Sequence, residues 1–392
     1  MASTSKIPPQ RTKALHNTFY LFGSCHKLYL FLWTKIRNFH KGTRRAFLYL
    51  HKKMQINLIS DTVTKPTQAM LRFMFQAEVG DDVYKQDPTV IELESKVAQL
   101  FGMEAALFFP SGTMANQTAI KLHTQPGEQL IADKLSHIYN YEGGGVSFNS
   151  GVSCCLVEGN RGRITAEQVL NSINNPEFYH SPLTSLVSVE NTTMKGGGAC
   201  YDFEEFRKIK RVCDANNLKF HLDGARIWNA LVATKDNPLA YGQVFDTISV
   251  CLSKGLGAPI GSLLLSDKVT INKALRIRKI LGGGMRQVGY LAAAGIYALD
   301  NHIERLAEDH RRAKELGAVL EKQSWVLKVE PVETNILIFS LQHDIDETVF
   351  LEKLNKKGIS ISSLGKGKLR IVTHLDYREV MHEYVMEVLG KL

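Results

Sequence analysis

KFHLDGARIWN, residues 219–229, reads as an apolar strand that ends in Asp223 and turns through Gly224 into a helix near Arg226. A carboxylate at a strand's carboxyl end faces the usual ligand crevice of an α/β sheet. Thirty-one residues later, CLSKGLGAPIGS (251–262) places Lys254 just beyond a second apolar strand, at the same edge. A lysine amine forms a Schiff base with an aldehyde cofactor, and an aspartate pairs with a protonated pyridine nitrogen. Taken singly, each residue is more often a solvated charge or a helix cap. Both at strand ends, in this order, point to an electron-sink site. A third element, FFPSGTMANQ (108–117), runs a strand into Ser111, Gly112 and Thr113 at the start of a helix. The free amides and dipole of that helix start favour a phosphate. The turn lacks the Gly-Lys-Ser/Thr ending of a Walker loop. GLGAPIG (255–261) is no dinucleotide fingerprint either, since Pro259 removes an amide and the glycines follow the strand rather than opening a βαβ unit.

Outward from these motifs the chain alternates short apolar runs with helical patterns, which predicts an α/β architecture around a mostly parallel sheet. Candidate strands are ALFFP, QLIAD, SLVSVE, KFHLD, ISVCL and GSLLLS. Asp202 with Glu205 three residues on predicts a capping box, ahead of Phe203, Phe206, Ile209 and Val212 at helical spacing. Val288 to Gln323 reads as one long helix. LKVEPVETNILIFSL and KLRIVTHL then read as strands around a further helix, predicting a smaller α+β domain from near Asn301. The expected division is an extension over 1–55, a large domain over 56–300 and a small one over 301–392.

At 392 residues and 44% apolar content the chain can bury a large core. Its net charge of +9 is concentrated at one end. Residues 1–60 hold eleven Lys or Arg and no acid, leaving 37 bases against 39 acids beyond them. A nearly neutral remainder argues against nucleic acid as a partner. Six cysteines without a CxxC spacing suggest neither a disulfide framework nor a metal site, and fit a reducing compartment. The acid-free extension has the composition of a transit peptide, so the expected location is mitochondrial or cytoplasmic. Its apolar stretch from Phe19 to Trp33 contains His26 and Lys27 and is too short for the ~20 residues of a helical span. A basic membrane-surface helix is the rival reading, and internal initiation at Met54 a third.

INLISDTVTKPT, EVGDDVY, DPT, ALFFPSGTMANQ, SHIYNYE, HLDGARIWNA, CLSKGLGAPIGS and LGGGMRQVG, in that order from Ile56, together resemble the low-specificity L-threonine aldolase family. The resemblance implies a fold-type-I, aspartate-aminotransferase-like enzyme with pyridoxal 5'-phosphate, assembled as a homotetramer or homodimer. It implies that Lys254 carries the cofactor, Asp223 pairs with its ring nitrogen, and Ser111, Gly112 and Thr113 hold its phosphate. His137 would stack on the ring, as a candidate base, and Arg226 would contact cofactor and substrate. Ser60, Arg226 and Arg370 would bind the substrate carboxylate, and Arg286 would serve a neighbouring subunit's site. The implied reaction cleaves a β-hydroxy-α-amino acid, L-threonine or L-allo-threonine, to glycine and an aldehyde.

The family's usual DLRSDT is here NLISDT, with Asn57 and Ile59, and VYGEDP is VYKQDP, with Lys85 and Gln86. The family's ENTH reads ENTT, with Thr193 for a histidine thought to touch the substrate hydroxyl. A threonine hydroxyl takes no proton near neutral pH, so retained cofactor with altered cleavage is expected. Lys254 and Asp223 would equally serve transamination, decarboxylation or β-elimination, and the departures motivate a third reading as a catalytically impaired homologue.

Overall fold

The computed structural model describes residues 55–392. The expectations for the basic extension therefore fall outside the described residues. The strands in chain order are β1 (Ile56–Asn57), β2 (Ala105–Phe109), β3 (Gln129–Asp133), β4 (Ser153–Val157), β5 (Thr184–Glu190), β6 (Lys219–Gly224) and β7 (Thr247–Cys251). They continue with β8 (Ser262–Ser266), β9 (Val326–Val329), β10 (Ile336–Leu341), β11 (Ile359–Ser360), β12 (Ser362–Gly365) and β13 (Lys368–Val372). Seven of them form the main sheet in the order β2-β8-β7-β6-β5-β3-β4. β7, β6, β5, β3 and β4 run parallel, and β8 is antiparallel to both its neighbours. β3, β7 and β8 are buried at every residue, the continuous apolar pattern of a sheet covered on both faces. The C-terminal part carries a second, antiparallel sheet, β12-β13-β10-β9, and β1, at the start of the described chain, pairs in parallel with β11 in a separate two-stranded sheet.

The helix Phe203–Ala215 shows how sequence becomes packing. Phe206, Ile209 and Cys213 recur at helical spacing and are buried, and the ring of Phe206 packs against Tyr201, Tyr241 and Phe245. Burying side chains such as Phe206 and Ile209 contributes about 1.5–3 kcal/mol each. Asp202 caps the helix by accepting from the Glu204 N–H, but the expected capping box does not form. The Glu205 carboxylate instead accepts from the Ala166 N–H of a neighbouring helix, a better use for a half-buried charge than its own N-terminus. The single helix expected over 288–323 is two, Gly289–Asn301 and Leu306–Leu320. The break falls at His302, whose Nδ1 meets the Leu256 carbonyl at 2.7 Å beside the turn that carries Lys254.

Three largely buried histidines favour the neutral form. Burial lowers His123, His221 and His310 from the ordinary 6.5 to about 4. A depressed folded value means that their contribution is complete above pH 6.5 and is lost as pH falls toward 4. Thermal melting between pH 7 and 4 is therefore expected to show a falling midpoint across that window. A midpoint unchanged down to pH 4 would contradict the assignment.

Candidate active site

The two strand ends that carry the chemistry are neighbours. Glu190 closes β5 in register with Asp223 of β6, which is in register with Ser249 of β7. Paired residues of parallel strands project to the same face. Asp223 is 2% exposed, and its carboxylate is held from two sides. Asn116 Nδ2 donates to Oδ2 at 2.9 Å, and the Ala225 N–H donates to Oδ1 at 3.0 Å. Asn116 lies in the helix Gly112–His123 that covers this face. Its Oδ1 accepts from Ser249 Oγ at 2.6 Å and faces His221 Nε2 at 3.2 Å. Its Nδ2 also reaches Glu142 Oε1 at 2.9 Å, and that oxygen meets His137 Nδ1 at 3.0 Å. Asp223 and His137 are thus fixed through one buried amide and one buried carboxylate. His137, Glu142 and Asp223 bring potential ligand atoms within 4.8 Å of one another, but these hydrogen bonds already occupy them. Burial disfavours the charged imidazole of His137; the Glu142 hydrogen bond and the Asp223 charge outweigh that and raise its pKa.

Lys254 follows β7 by three residues. Its carbonyl accepts from Thr64 Oγ1 at 2.9 Å and from the Gly257 N–H at 2.9 Å, while Nζ donates to Cys251 Sγ at 3.3 Å. Among the described residues no carboxylate lies within ion-pair distance of this amine. A cavity of about 340 Å³ lies between Ser111, Gly112 and Thr113 at the helix start, His137, Asp223 and Lys254. Ser111 caps the helix by accepting from the Met114 N–H. A Cβ on Gly112 would come within 2.6 Å of Cys251 Sγ, so only glycine lets this helix start approach β7.

These residues fit pyridoxal phosphate. An amine without an acidic partner, a buried carboxylate with fixed oxygens and a capped helix start line one cavity of the size that small ligands occupy. A second cavity, also about 340 Å³, shares Thr62, His137, Ala225 and Lys254 with the first and extends past Ser60, Glu190, Arg226 and Arg370.

Arg226 and Arg370 are presented differently from one another. Arg226 is buried, and Asp61 takes its Nε and Nη2 at 2.8 and 2.6 Å. That edge of Arg226 belongs to Asp61, and Nη1 alone has no hydrogen bond among the described residues, while the side chain still lines the second cavity. Burial disfavours the Asp61 carboxylate, yet Arg226, Lys254 and Asn335 together hold it at about 2. Arg370, on β13, gives Nη2 to the Ile59 carbonyl at 3.0 Å and Nη1 to Met194 Sδ at 2.9 Å, and its buried Nε has no partner. Burial and the Arg226 charge lower its pKa, as two cations held close together require. Ser60 caps the short turn Asp61–Val63 with its Oγ accepting from the Thr62 N–H. Arg286 lies on the surface, outside both cavities, with Nη1 donating to Asp81 at 2.8 Å and its guanidinium over Tyr84. Lys85 takes φ 59°, the left-handed region where the family's glycine is at ease. Thr193 is 2% exposed and its hydroxyl donates to the Arg161 carbonyl at 2.8 Å, outside the cavity that Glu190 and Met194 line.

Asp61, Asn116, Glu142 and Glu190 were not singled out by sequence reasoning. All four lie inside or beside the motifs quoted above, but only their folded partners mark them.

The parallel sheet, with a lysine and an aspartate at its carboxyl edge and a phosphate-type turn facing them, defines a fold-type-I pyridoxal-phosphate enzyme. Residues 57–344 match the β-eliminating lyase family model. A probable low-specificity L-threonine aldolase 2 of Arabidopsis thaliana is 38% identical over 86% of this chain and 97% of its own. The low specificity L-threonine aldolase of Escherichia coli K12 is 39% identical over 85% and 97%. Among solved structures, the threonine aldolase of Leishmania major superposes with a TM-score of 0.74 at 22% identity, over 86% of this chain and 99% of its own. The chain therefore belongs to the β-eliminating lyase family and, within it, to the low-specificity L-threonine aldolases. It is a pyridoxal-phosphate-dependent lyase.

Proposed function

We propose that this chain cleaves L-threonine, L-allo-threonine and related β-hydroxy-α-amino acids to glycine and an aldehyde. The carrying observation is the continuity of two cavities across Lys254, one lined by Asp223 and the phosphate-type turn, the other by Ser60, Arg226 and Arg370. Pyridoxal phosphate, when bound, supplies an aldehyde for an amino group and a protonated ring that accepts the electrons of a bond broken at Cα. Lys254 is the residue that would hold its aldehyde, Asp223 would keep its ring nitrogen protonated, and Ser111, Gly112 and Thr113 would take the phosphate. His137, oriented by Glu142, would cover the ring. Acetaldehyde release from L-threonine and L-allo-threonine by the cofactor-supplied protein tests this reading. Keto acid, amine or ammonia as the product would replace it with another reaction of the same fold.

Arg370 is the stronger candidate for the substrate carboxylate, because it lines the cavity with no carboxylate partner among the described residues, while Arg226 is paired with Asp61. A charge-assisted hydrogen bond contributes about 1.5–3 kcal/mol. Arg370→Ala is accordingly expected to lower kcat/KM by about 10- to 150-fold, chiefly through KM, with cofactor absorbance intact. An unchanged KM would return the role to Arg226.

Arg286, exposed and outside the cavities of its own subunit, is suited to a neighbouring subunit's site in a homodimer or homotetramer. The same reading takes 56–300 as the cofactor-binding domain and 301–392 as the smaller one that contributes Arg370. No helix among the described residues is long and apolar enough to cross a membrane. The acid-free extension is suited to mitochondrial targeting, which N-terminal sequencing of the native protein would test.

A further inference from the structure

We propose that Glu190 takes the proton of the substrate's β-hydroxyl group, a role for which position 193 is unequipped in this chain. The inference rests on the aldolase reading above. Three observations carry it. Glu190 lines the substrate-side cavity with Lys254, Arg226 and Arg370. Its side chain is locked, because Oε1 accepts from the Met194 N–H at 2.7 Å and Oε2 from the His137 N–H at 3.0 Å. Each oxygen keeps a lone pair beyond those bonds. Thr193, by contrast, donates its hydroxyl to the Arg161 carbonyl, and Gly162 and Gly196 close around it so tightly that an added Cβ would meet its side-chain atoms at 3.0 and 2.3 Å. Its hydroxyl is turned into the protein, and a threonine is no base near neutral pH.

The step balances within the substrate. The O–H bond breaks and its proton passes to a Glu190 oxygen, while the electron pair becomes the second bond of the departing aldehyde's carbonyl. The Cα–Cβ bond breaks, its pair remains with the amino-acid fragment, and a proton from water completes glycine. Glu190 then returns its proton to water. Burial, reinforced by Asp223, raises the Glu190 pKa to about 7, so a base and its conjugate acid coexist near neutral pH, as proton transfer in both directions requires. The other groups that act on it are His137, Arg226 and Tyr201, with Lys254 across the cavity. Three carboxylates stabilise the charged form of His137 and raise its pKa, so its imidazole already holds a proton more often than a free one and is less available to take the substrate's.

The test compares wild type, Glu190→Gln and Glu190→Asp, each loaded with pyridoxal phosphate. Glu190→Gln is expected to lower kcat for acetaldehyde release about 100-fold with KM changed little. Its cofactor absorbance and its exchange of glycine α-hydrogen in deuterated water, which needs no hydroxyl deprotonation, are expected to stay near wild type. The acid limb of the wild-type kcat/KM profile near pH 7 is expected to move in Glu190→Asp. Cleavage retained in Glu190→Gln, an acid limb unmoved in Glu190→Asp, or equal loss of cleavage and glycine exchange overturns the assignment. Should Glu190→Gln fail to load cofactor, the wild-type and Glu190→Asp profiles decide alone. Failure of wild type to release any aldehyde would instead overturn the aldolase reading.

Discussion

Lys254→Ala is expected to lower aldehyde release by about 10⁴-fold, at the top of the range for a positioned acid–base group, and to leave added cofactor removable by dialysis. The amine is the one nucleophilic nitrogen shared by both cavities that has no acid beside it; its Nζ donates only to Cys251 Sγ. The fold around it does not depend on that nitrogen. Thr64 Oγ1 and the Gly257 N–H bind the Lys254 carbonyl, which alanine keeps, and Nζ forms no ion pair among the described residues, its charge adding to the larger effect of Arg226 on Asp61. The melting temperature of the cofactor-free variant is therefore expected to match that of cofactor-free wild type. Borohydride reduction followed by peptide mapping supplies an independent readout, in which the cofactor should be found on the peptide containing Lys254 in wild type only. Activity within about tenfold of wild type would mean that another amine does the work.

The second large effect is expected at Asp61, and it falls on stability before activity. Asp61 is fully buried, meets both Nε and Nη2 of Arg226, and accepts from Asn335 Nδ2 at 3.1 Å. The pair joins the segment before the first long helix, the turn after β6 and the strand region around β10. Removing one partner of a buried ion pair costs about 3–5 kcal/mol, because the other charge stays desolvated and alone. Asp61→Ala is thus expected to lower the melting temperature substantially, and to free Arg226 to move into the substrate cavity, changing KM as well. Asp61→Asn keeps the shape but not the charge and should fall between. The sign with pH follows from a folded value held at about 2, below the usual carboxylate range. The stabilisation is complete above about pH 4 and lost as pH falls toward 2. A melting temperature for Asp61→Ala matching that of wild type would show that Arg226 finds another anion or leaves the interior.

Legibility differed between kinds of residue. The strands ALFFP, QLIAD and GSLLLS are found to within a residue of where they were read, because strands of a sheet covered on both faces are continuous apolar runs bounded by turns, whichever way they run. β4, SCCLV, was missed, since an edge strand with two cysteines and partial exposure carries neither an alternating nor a fully apolar signal. The capping box at Asp202 failed because Glu205 had a better donor in another helix. The 288–323 stretch keeps helical spacing through the break at 302–305, and nothing local announces that His302 turns to the Leu256 carbonyl.

The sequence by itself determined the chemistry on offer: a lysine and an aspartate at strand ends, a phosphate-type turn, and family motifs in one order from Ile56. Those signals are local, each a residue type next to a strand or helix boundary. Only the tertiary structure decided which groups are free to act. Arg226 and Arg370 look alike as letters, but one is paired with Asp61, 165 residues earlier, and the other has no carboxylate partner among the described residues. Thr193 and Glu190 share one tetrapeptide, yet the first faces a backbone carbonyl and the second the cavity. Partners so distant in the chain leave no pattern in it, because burial and hydrogen-bond geometry belong to the packed chain and not to its local segments.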